Sequence, residues 1–163
     1  MTEKAQWLMK SEPSTYSIDD LQNDRVEPWN GVRNYQARNF MRAMKKGELA
    51  LFYHSNAKPP GVVGLCKIAK EAYPDPSQFD KKSPYFDPKS SREDPRWSLV
   101  DVEFVEKFDS PISLEVLKAD RKLKNMLVVQ KGSRLSVQPV DHADFQHVLH
   151  LANARTKLDS PSP

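Results

Sequence analysis

Proline sets the scale on which this chain can build regular structure. Thirteen prolines against five glycines, with 9% aromatic residues, point to short strands joined by stiff, ordered loops instead of a long helical bundle. Gln6 to Lys10 reads as a short apolar strand, stopped at Ser11-Glu12-Pro13 because proline forces the residue before it into an extended conformation. Ser17 with Asp20 makes a capping box that opens a short helix ending at Asn23-Asp24. A second helix is predicted from about Asn34 to Lys46, burying Ala37, Phe40, Met41 and Met44, with Gly47 closing it. Leu49 to His54 reads as a buried strand, and Lys58-Pro59-Pro60-Gly61 turns the chain into a long strand from Val62 to about Tyr73. Residues 74 to 96 carry five prolines and form a long ordered excursion, a candidate lid. From Trp97 to Phe108, Val100, Val102 and Phe104 alternate with Asp101 and Glu103, as a half-buried strand requires. A short helix at Ser113 to Lys118, an ambiguous apolar run at Met126 to Val129, a strand at Arg134 to Val140 and a helix from Asp141 through Leu151 complete an α+β pattern.

At 163 residues the chain fits one domain with a real core, expected over residues 1–155 with 156–163 as a disordered tail. The longest apolar run, Leu49 to Tyr53, is far short of the roughly 20 residues that span a bilayer, so no membrane partner is expected. The residues from Met1 to Ala5 lack the basic and apolar blocks of a secretory signal. One cysteine forms no internal disulfide, and a reducing compartment is expected: cytoplasm for a bacterial source, nucleus for a eukaryotic one. The net charge of +3 does not by itself announce a polyanion partner. Its distribution says more. Residues 28–47 carry Arg33, Arg38, Arg42, Lys45 and Lys46 and residues 121–140 carry Arg121, Lys122, Lys124, Lys131 and Arg134, neither with an acid, so phosphate binding follows if the two patches meet.

The densest chemistry lies from Trp29 to Asn39, where aromatics, amides and guanidinium groups surround Gly31. Such a segment suits a nucleobase: aromatic faces stack, Asn and Gln pair with base edges, and Arg does either or holds phosphate. The plainer alternative is a loop opening a helix, with Trp29 and Tyr35 capping the core. Motifs of catalysis are missing. Cys66 lies within a strand and reads as core. His147 and His150 share a helical face, but nothing completes a zinc set, so no metal is expected. Gly61-Val62-Val63-Gly64 lacks the lysine and hydroxyl of a P-loop, and no nucleophile elbow occurs.

Six blocks, Trp7 to Pro13, Trp29 to Asn39, Phe52 to Asn56, Gly61 to Gly64, Pro95 to Trp97 and Arg134 to Pro139, occur in the order that closely resembles the EVE domain family over about residues 5 to 152. The resemblance implies a PUA-like fold, a small mixed β-barrel with helices packed around it. It also implies a monomeric, non-catalytic, cofactor-free module that reads a modified base in nucleic acid, with 5-methylcytosine or 5-hydroxymethylcytosine in DNA favoured and RNA possible as partner. Within that frame Trp29, Tyr35 and Trp97 are candidates to stack on an extruded base. Glu12 is suited to accept from a cytosine amino group, with Ser11, Asn34 and Asn39 on the other polar edge. Gly31, Val32, Tyr53, His54 and Ser55 complete the expected pocket, and Lys10, Arg33, Arg38, Arg42 and Arg134 are the expected phosphate contacts. Two alternatives stay open: an enzyme acting on a modified nucleotide or RNA base, using Glu12 and His54 as acid and base, and a protein-interaction module docking through exposed Tyr85 and Phe86 in the 74–96 loop.

Overall fold

Alternation of apolar side chains along the strands divides the interior into two cores, one on each face of a single sheet. In the computed structural model, which describes residues 4–132 and 134–158, six strands run in the order β2-β5-β4-β3-β1-β6. They are β1 (Gln6–Ser11), β2 (Val26–Pro28), β3 (Leu49–His54), β4 (Gly61–Pro74), β5 (Ser98–Ser113) and β6 (Val137–Val140). β1 and β3 are parallel, with Met9 opposite Phe52 and Ser11 opposite His54, and the other pairings are antiparallel. On one face Trp7, Met9, Ala50, Phe52, Cys66 and Val102 pack beneath α1 (Ile18–Asp24) and α2 (Tyr35–Ala43). On the other, Leu8, Leu51, Leu65 and Phe108 pack beneath α3 (Leu114–Ala119) and α4 (His142–Leu151). Helix α2 touches both β5 and β6, which lie four places apart in the sheet, as a sheet curled toward a barrel permits.

The helices begin where the sequence puts caps. Ser17 and Asp20 form the reciprocal capping box of α1, and the Asn34 side chain accepts from Ala37 N–H to open α2. Helix α2 stops at Ala43, three residues short of the expected Lys46, because Met44 already turns to an extended conformation; Gly47, at φ +90°, then makes the bend into β3. Trp7 is core, and its indole N–H is satisfied by the buried Glu48 carboxylate at 3.0 Å. Cys66 is fully buried, and burial pushes its thiol up to about 12. The run at Met126 to Val129 closes as a 3₁₀ turn over Leu127–Val129.

Two departures from the expected elements shape the site. β2, a three-residue strand paired to β5, is not among the strands expected from sequence, and it delivers Trp29 to the sheet, where Trp29 N–H donates to Val100 C=O at 2.8 Å. The 74–96 excursion packs against the body: Gln78 is buried, and its amide bonds Asp75 C=O, Trp97 C=O and Trp97 N–H, binding the two ends of the excursion together. Thr156 is tied by its N–H and hydroxyl to Glu106, and residues 159–163 of the expected tail lie outside the described residues.

Candidate functional site

β1 and β3 end side by side, and that shared end opens into a cavity of about 830 Å³, within the size range of sites that hold small ligands. One wall is the β1 end and the turn after it: Lys10, Ser11, Glu12, Thr15 and Tyr16. The facing wall is the segment leaving β2, Glu27 to Arg33, with Tyr85 from the excursion laid over it. Ser55 follows β3 into the floor, and Arg134 and Ser136 arrive because Lys10 N–H bonds Ser136 C=O at 2.8 Å, extending the β1–β6 ladder.

A buried carboxylate fixes the facing wall. Asp75 is fully buried; its Oδ2 accepts from Gly31 N–H at 2.8 Å and Arg33 Nη1 at 3.2 Å, and its Oδ1 accepts from the Ser77 N–H and hydroxyl at 2.8 and 2.6 Å. Arg33 spends the rest of its fork on Tyr85 C=O, Val32 C=O and Ser77 Oγ. These bonds lock the β2–α2 loop to the excursion and set Tyr85 across Gly31, where a Cβ would stand 2.6 Å from the ring. Gly31 is therefore required twice, by this approach and by its φ of +83°.

Three aromatics face the space. Trp29 is held edge-on by Phe52 at 5.5 Å. Tyr16 bonds Asp24 through its hydroxyl at 2.9 Å, and burial, with the nearby Glu27 and Asp24 carboxylates, raises its pKa and keeps it protonated. Tyr85 completes the wall. The polar groups divide into the committed and the free. Ser11 Oγ donates to Tyr16 C=O at 2.6 Å, leaving its lone pairs to accept. Among the described residues the Glu12 carboxylate has no donor within hydrogen-bond distance, and neither Lys10 nor Arg134 has a carboxylate partner. Burial lowers the pKa of Lys10, whose ammonium lies 5.7 Å from the Tyr53 ring centre. The site thus offers aromatic faces, a carboxylate and a hydroxyl oxygen free to accept, and two cations without a carboxylate partner among the described residues.

Of the residues expected at a base pocket, the fold brings Ser11, Glu12, Trp29, Gly31, Val32 and Ser55 to this cavity, with Lys10, Arg33 and Arg134 among the expected cations. The others lie elsewhere, each for a local reason. Asn34 is spent as a helix cap. Asn39 accepts two N–H groups of Arg38. Tyr53 is buried in the opposite core, and His54 uses its Nε2 to accept from Ile18 N–H at 3.1 Å. Tyr35 and Trp97 stack on each other at 4.8 Å instead of lining the cavity. Arg38 and Arg42 are anchored to the Arg96 carbonyl and to Ser98, and Arg33 is consumed in holding Asp75 and Tyr85. Of the second basic patch only Arg134 reaches the cavity, so the two patches do not merge there. Tyr85 and Phe86 are half-buried, and Tyr85 is engaged with Gly31, which removes it as an exposed docking residue. Sequence reasoning missed Tyr16, Tyr85 and Asp75. Only Asp75 left a local trace, as the Asx cap of the Pro76–Phe79 turn.

No described helix is long and apolar enough to cross a membrane, and no group of three or more His, Cys, Asp or Glu able to hold a metal occurs among the described residues.

The chain is 49% identical to human thymocyte nuclear protein 1 over 164 residues, covering 89% of this chain and 72% of that protein. A crystal structure of a protein from Pseudomonas syringae superposes with a TM-score of 0.88 at 48% identity, over 91% of this chain and 99% of that one. The human THYN1 protein, solved in complex with 5-methylcytosine-containing DNA, superposes with a TM-score of 0.87 at 46% identity, over 94% of this chain and all of that one. These neighbours carry the PUA-like α+β architecture seen here. The EVE domain model matches residues 5–151, and the chain belongs to the EVE domain family.

Proposed function

We propose that this protein is a non-catalytic reader of a modified base in nucleic acid, with 5-methylcytosine or 5-hydroxymethylcytosine in DNA as the leading ligands. One observation carries the reading: a free carboxylate, Glu12, faces an aromatic-walled cavity that two unpaired cations border, in a chain 46% identical to a protein solved with 5-methylcytosine-containing DNA. A base extruded into this cavity regains its lost stacking on Trp29, Tyr16 and Tyr85, at about 1–3 kcal/mol per ring. Glu12 accepts from the exocyclic amino group of cytosine, and Ser11 Oγ offers a second acceptor. Lys10 and Arg134 take the flanking phosphates. Selection for one added methyl is worth only about 1–3 kcal/mol, so a modest preference is expected, larger where a hydroxyl is also hydrogen-bonded. The module acts in this reading as a monomeric single domain without a cofactor, in the cytoplasm of a bacterium or the nucleus of a eukaryote.

The test is a titration at fixed salt with matched oligonucleotides carrying cytosine, 5-methylcytosine or 5-hydroxymethylcytosine at one position, using the native protein and Glu12→Gln. Salt is held constant because phosphate contacts move all affinities together. The reading expects tighter binding of a modified oligonucleotide and weaker cytosine-family binding in Glu12→Gln, since the amide keeps an acceptor oxygen but loses the charge that strengthens the bond from the amino group. Equal affinity for all three, unchanged by the substitution, refutes it.

A further inference from the structure

Outside the cavity, on the far side of Arg33, lies an aromatic and cationic surface that the pocket does not use. Arg33 is sandwiched between the two: its guanidinium carbon is 5.6 Å from the Tyr85 ring centre, on the cavity wall, and 5.4 Å from that of Trp97. Trp97 is buried, and its indole N–H donates to Asp87 at 2.7 Å, so its ring is fixed. Tyr35, on the first turn of α2, stacks on it at 4.8 Å with 23° between planes yet remains 52% exposed. Arg38, one turn later, lies 4.7 Å from the Tyr35 ring centre and 6.0 Å from that of Trp97. Arg38 thus lies over the Tyr35 ring but not directly opposite Trp97, since the 6.0 Å between them is well short of the sum of their separations from Tyr35, and about half of the Tyr35 surface stays exposed.

The Asp87 carboxylate that anchors Trp97 acts on Arg96, while Arg38 and Arg42 are held by neutral acceptors. Arg38 donates to Arg96 C=O at 2.8 Å, and Arg42 donates to Ser98 Oγ at 3.0 Å. Among the described residues none of Arg38, Arg42 or Arg96 has a carboxylate within salt-bridge distance. An exposed aromatic ring held by a fixed partner and bordered by the Arg38 guanidinium, with that of Arg42 close enough to act on it, suits a stacked base with its phosphate alongside.

We propose that Tyr35, backed by Trp97 and bordered by Arg38 and Arg42, is a second binding surface that takes a nucleotide flanking the one in the cavity, stacking its base on the exposed Tyr35 ring and pairing its phosphate with the two guanidinium groups. The surface adds affinity without reading the modification. This inference rests on the base-reader proposal, and the test separates the two.

Fluorescence anisotropy with labelled duplexes that differ only in cytosine or 5-methylcytosine at one central position reads both properties, on the full chain and on Tyr35→Ala, Tyr35→Phe and Arg38→Gln. Thermal melting of each variant verifies folding, and Tyr35→Phe keeps the ring if Tyr35→Ala exposes Trp97 harmfully. The expected result is an affinity loss of about tenfold in Tyr35→Ala that is equal for both duplexes, restored in Tyr35→Phe, and a salt slope smaller by about one in Arg38→Gln. Unchanged affinity of folded Tyr35→Ala overturns the surface while leaving a discriminating wild type as a base reader. A loss confined to the methylated duplex also overturns it, by assigning Tyr35 to base selection. A wild type that binds both duplexes alike, weakened by Tyr35→Ala, supports the surface and refutes the reader, and a wild type that binds neither refutes both.

Discussion

Replacing Asp75 with asparagine removes one charge and almost no volume, and it strikes the point where both halves of the facing cavity wall are joined. The native carboxylate is fully buried and accepts four hydrogen bonds, from Gly31 N–H, Arg33 and the N–H and hydroxyl of Ser77. Asparagine supplies one acceptor oxygen and one amino group. Turned one way, the amide N–H₂ confronts Gly31 N–H and Arg33; turned the other, it confronts Ser77 N–H and makes the Ser77 hydroxyl give up the bond it donates. Each buried donor left without an acceptor costs about 1–3 kcal/mol, and removing one partner of a buried ion pair costs about 3–5 kcal/mol in all. Arg33 is itself about one quarter exposed, which places the expected loss at the lower end, about 3 kcal/mol. For a chain of this length that is roughly 6–12 °C in melting temperature. Urea denaturation of both proteins gives the free-energy difference, and a double-mutant cycle with Arg33→Gln gives the coupling, expected at about 1 kcal/mol or more. A loss below about 1 kcal/mol, with zero coupling, refutes the view that Asp75 holds the wall.

Gly31→Ala puts a Cβ 2.6 Å from the Tyr85 ring at a φ of +83°, so it should cost about 1–3 kcal/mol of stability in urea denaturation and weaken oligonucleotide binding further by displacing Tyr85. His54 has its pKa lowered below 6.5 by burial, and its neutral Nε2 accepts from Ile18 N–H. The folded state thus binds fewer protons than the unfolded one, and the stability His54 contributes is complete above pH 6.5 and lost as the pH falls toward its folded value. Melting temperatures between about pH 7.5 and 5 should therefore fall more steeply for the native protein than for His54→Gln, and parallel curves would exclude this role. Cys66, fully buried with its thiol pushed up to about 12, should react with a thiol reagent at about pH 8 only after unfolding; rapid labelling of the native protein would contradict its placement.

What was legible in the chain was what local physics decides. The bounds of β3 follow from an apolar run flanked by Gly47 and a Pro-rich turn, and the start of α1 from the reciprocal chemistry of Ser17 and Asp20. β2 escaped notice because Val26-Glu27-Pro28 has no strand signal of its own; its pairing with β5 creates it. Half the expected pocket residues line the cavity, and five of these six, all but Ser55, lie at the β1 end and the Gly31 turn, where the chain direction is fixed by proline and glycine. Two of the expected residues outside the cavity and one unexpected residue inside it share a cause. Tyr35 and Trp97 are 62 positions apart yet prefer each other's faces to the cavity, and Tyr85 meets Gly31 across 54 positions. No spacing rule reports contacts between loops that distant. Arg33 shows the same limit: its charge suggested phosphate, but a buried carboxylate and three carbonyl and hydroxyl acceptors claim it first.

The central claim, that the modified base enters the aromatic cavity, is tested most directly by proton NMR of a duplex whose single 5-methylcytosine carries a ¹³C-labelled methyl group. On binding, the ring currents of Trp29, Tyr16 and Tyr85 should shift that methyl resonance, and a Tyr85→Leu protein should reduce the shift. A methyl resonance that stays at its free-duplex position in a saturated complex would contradict the account, because the base would then remain stacked in the duplex and the protein would hold only the backbone.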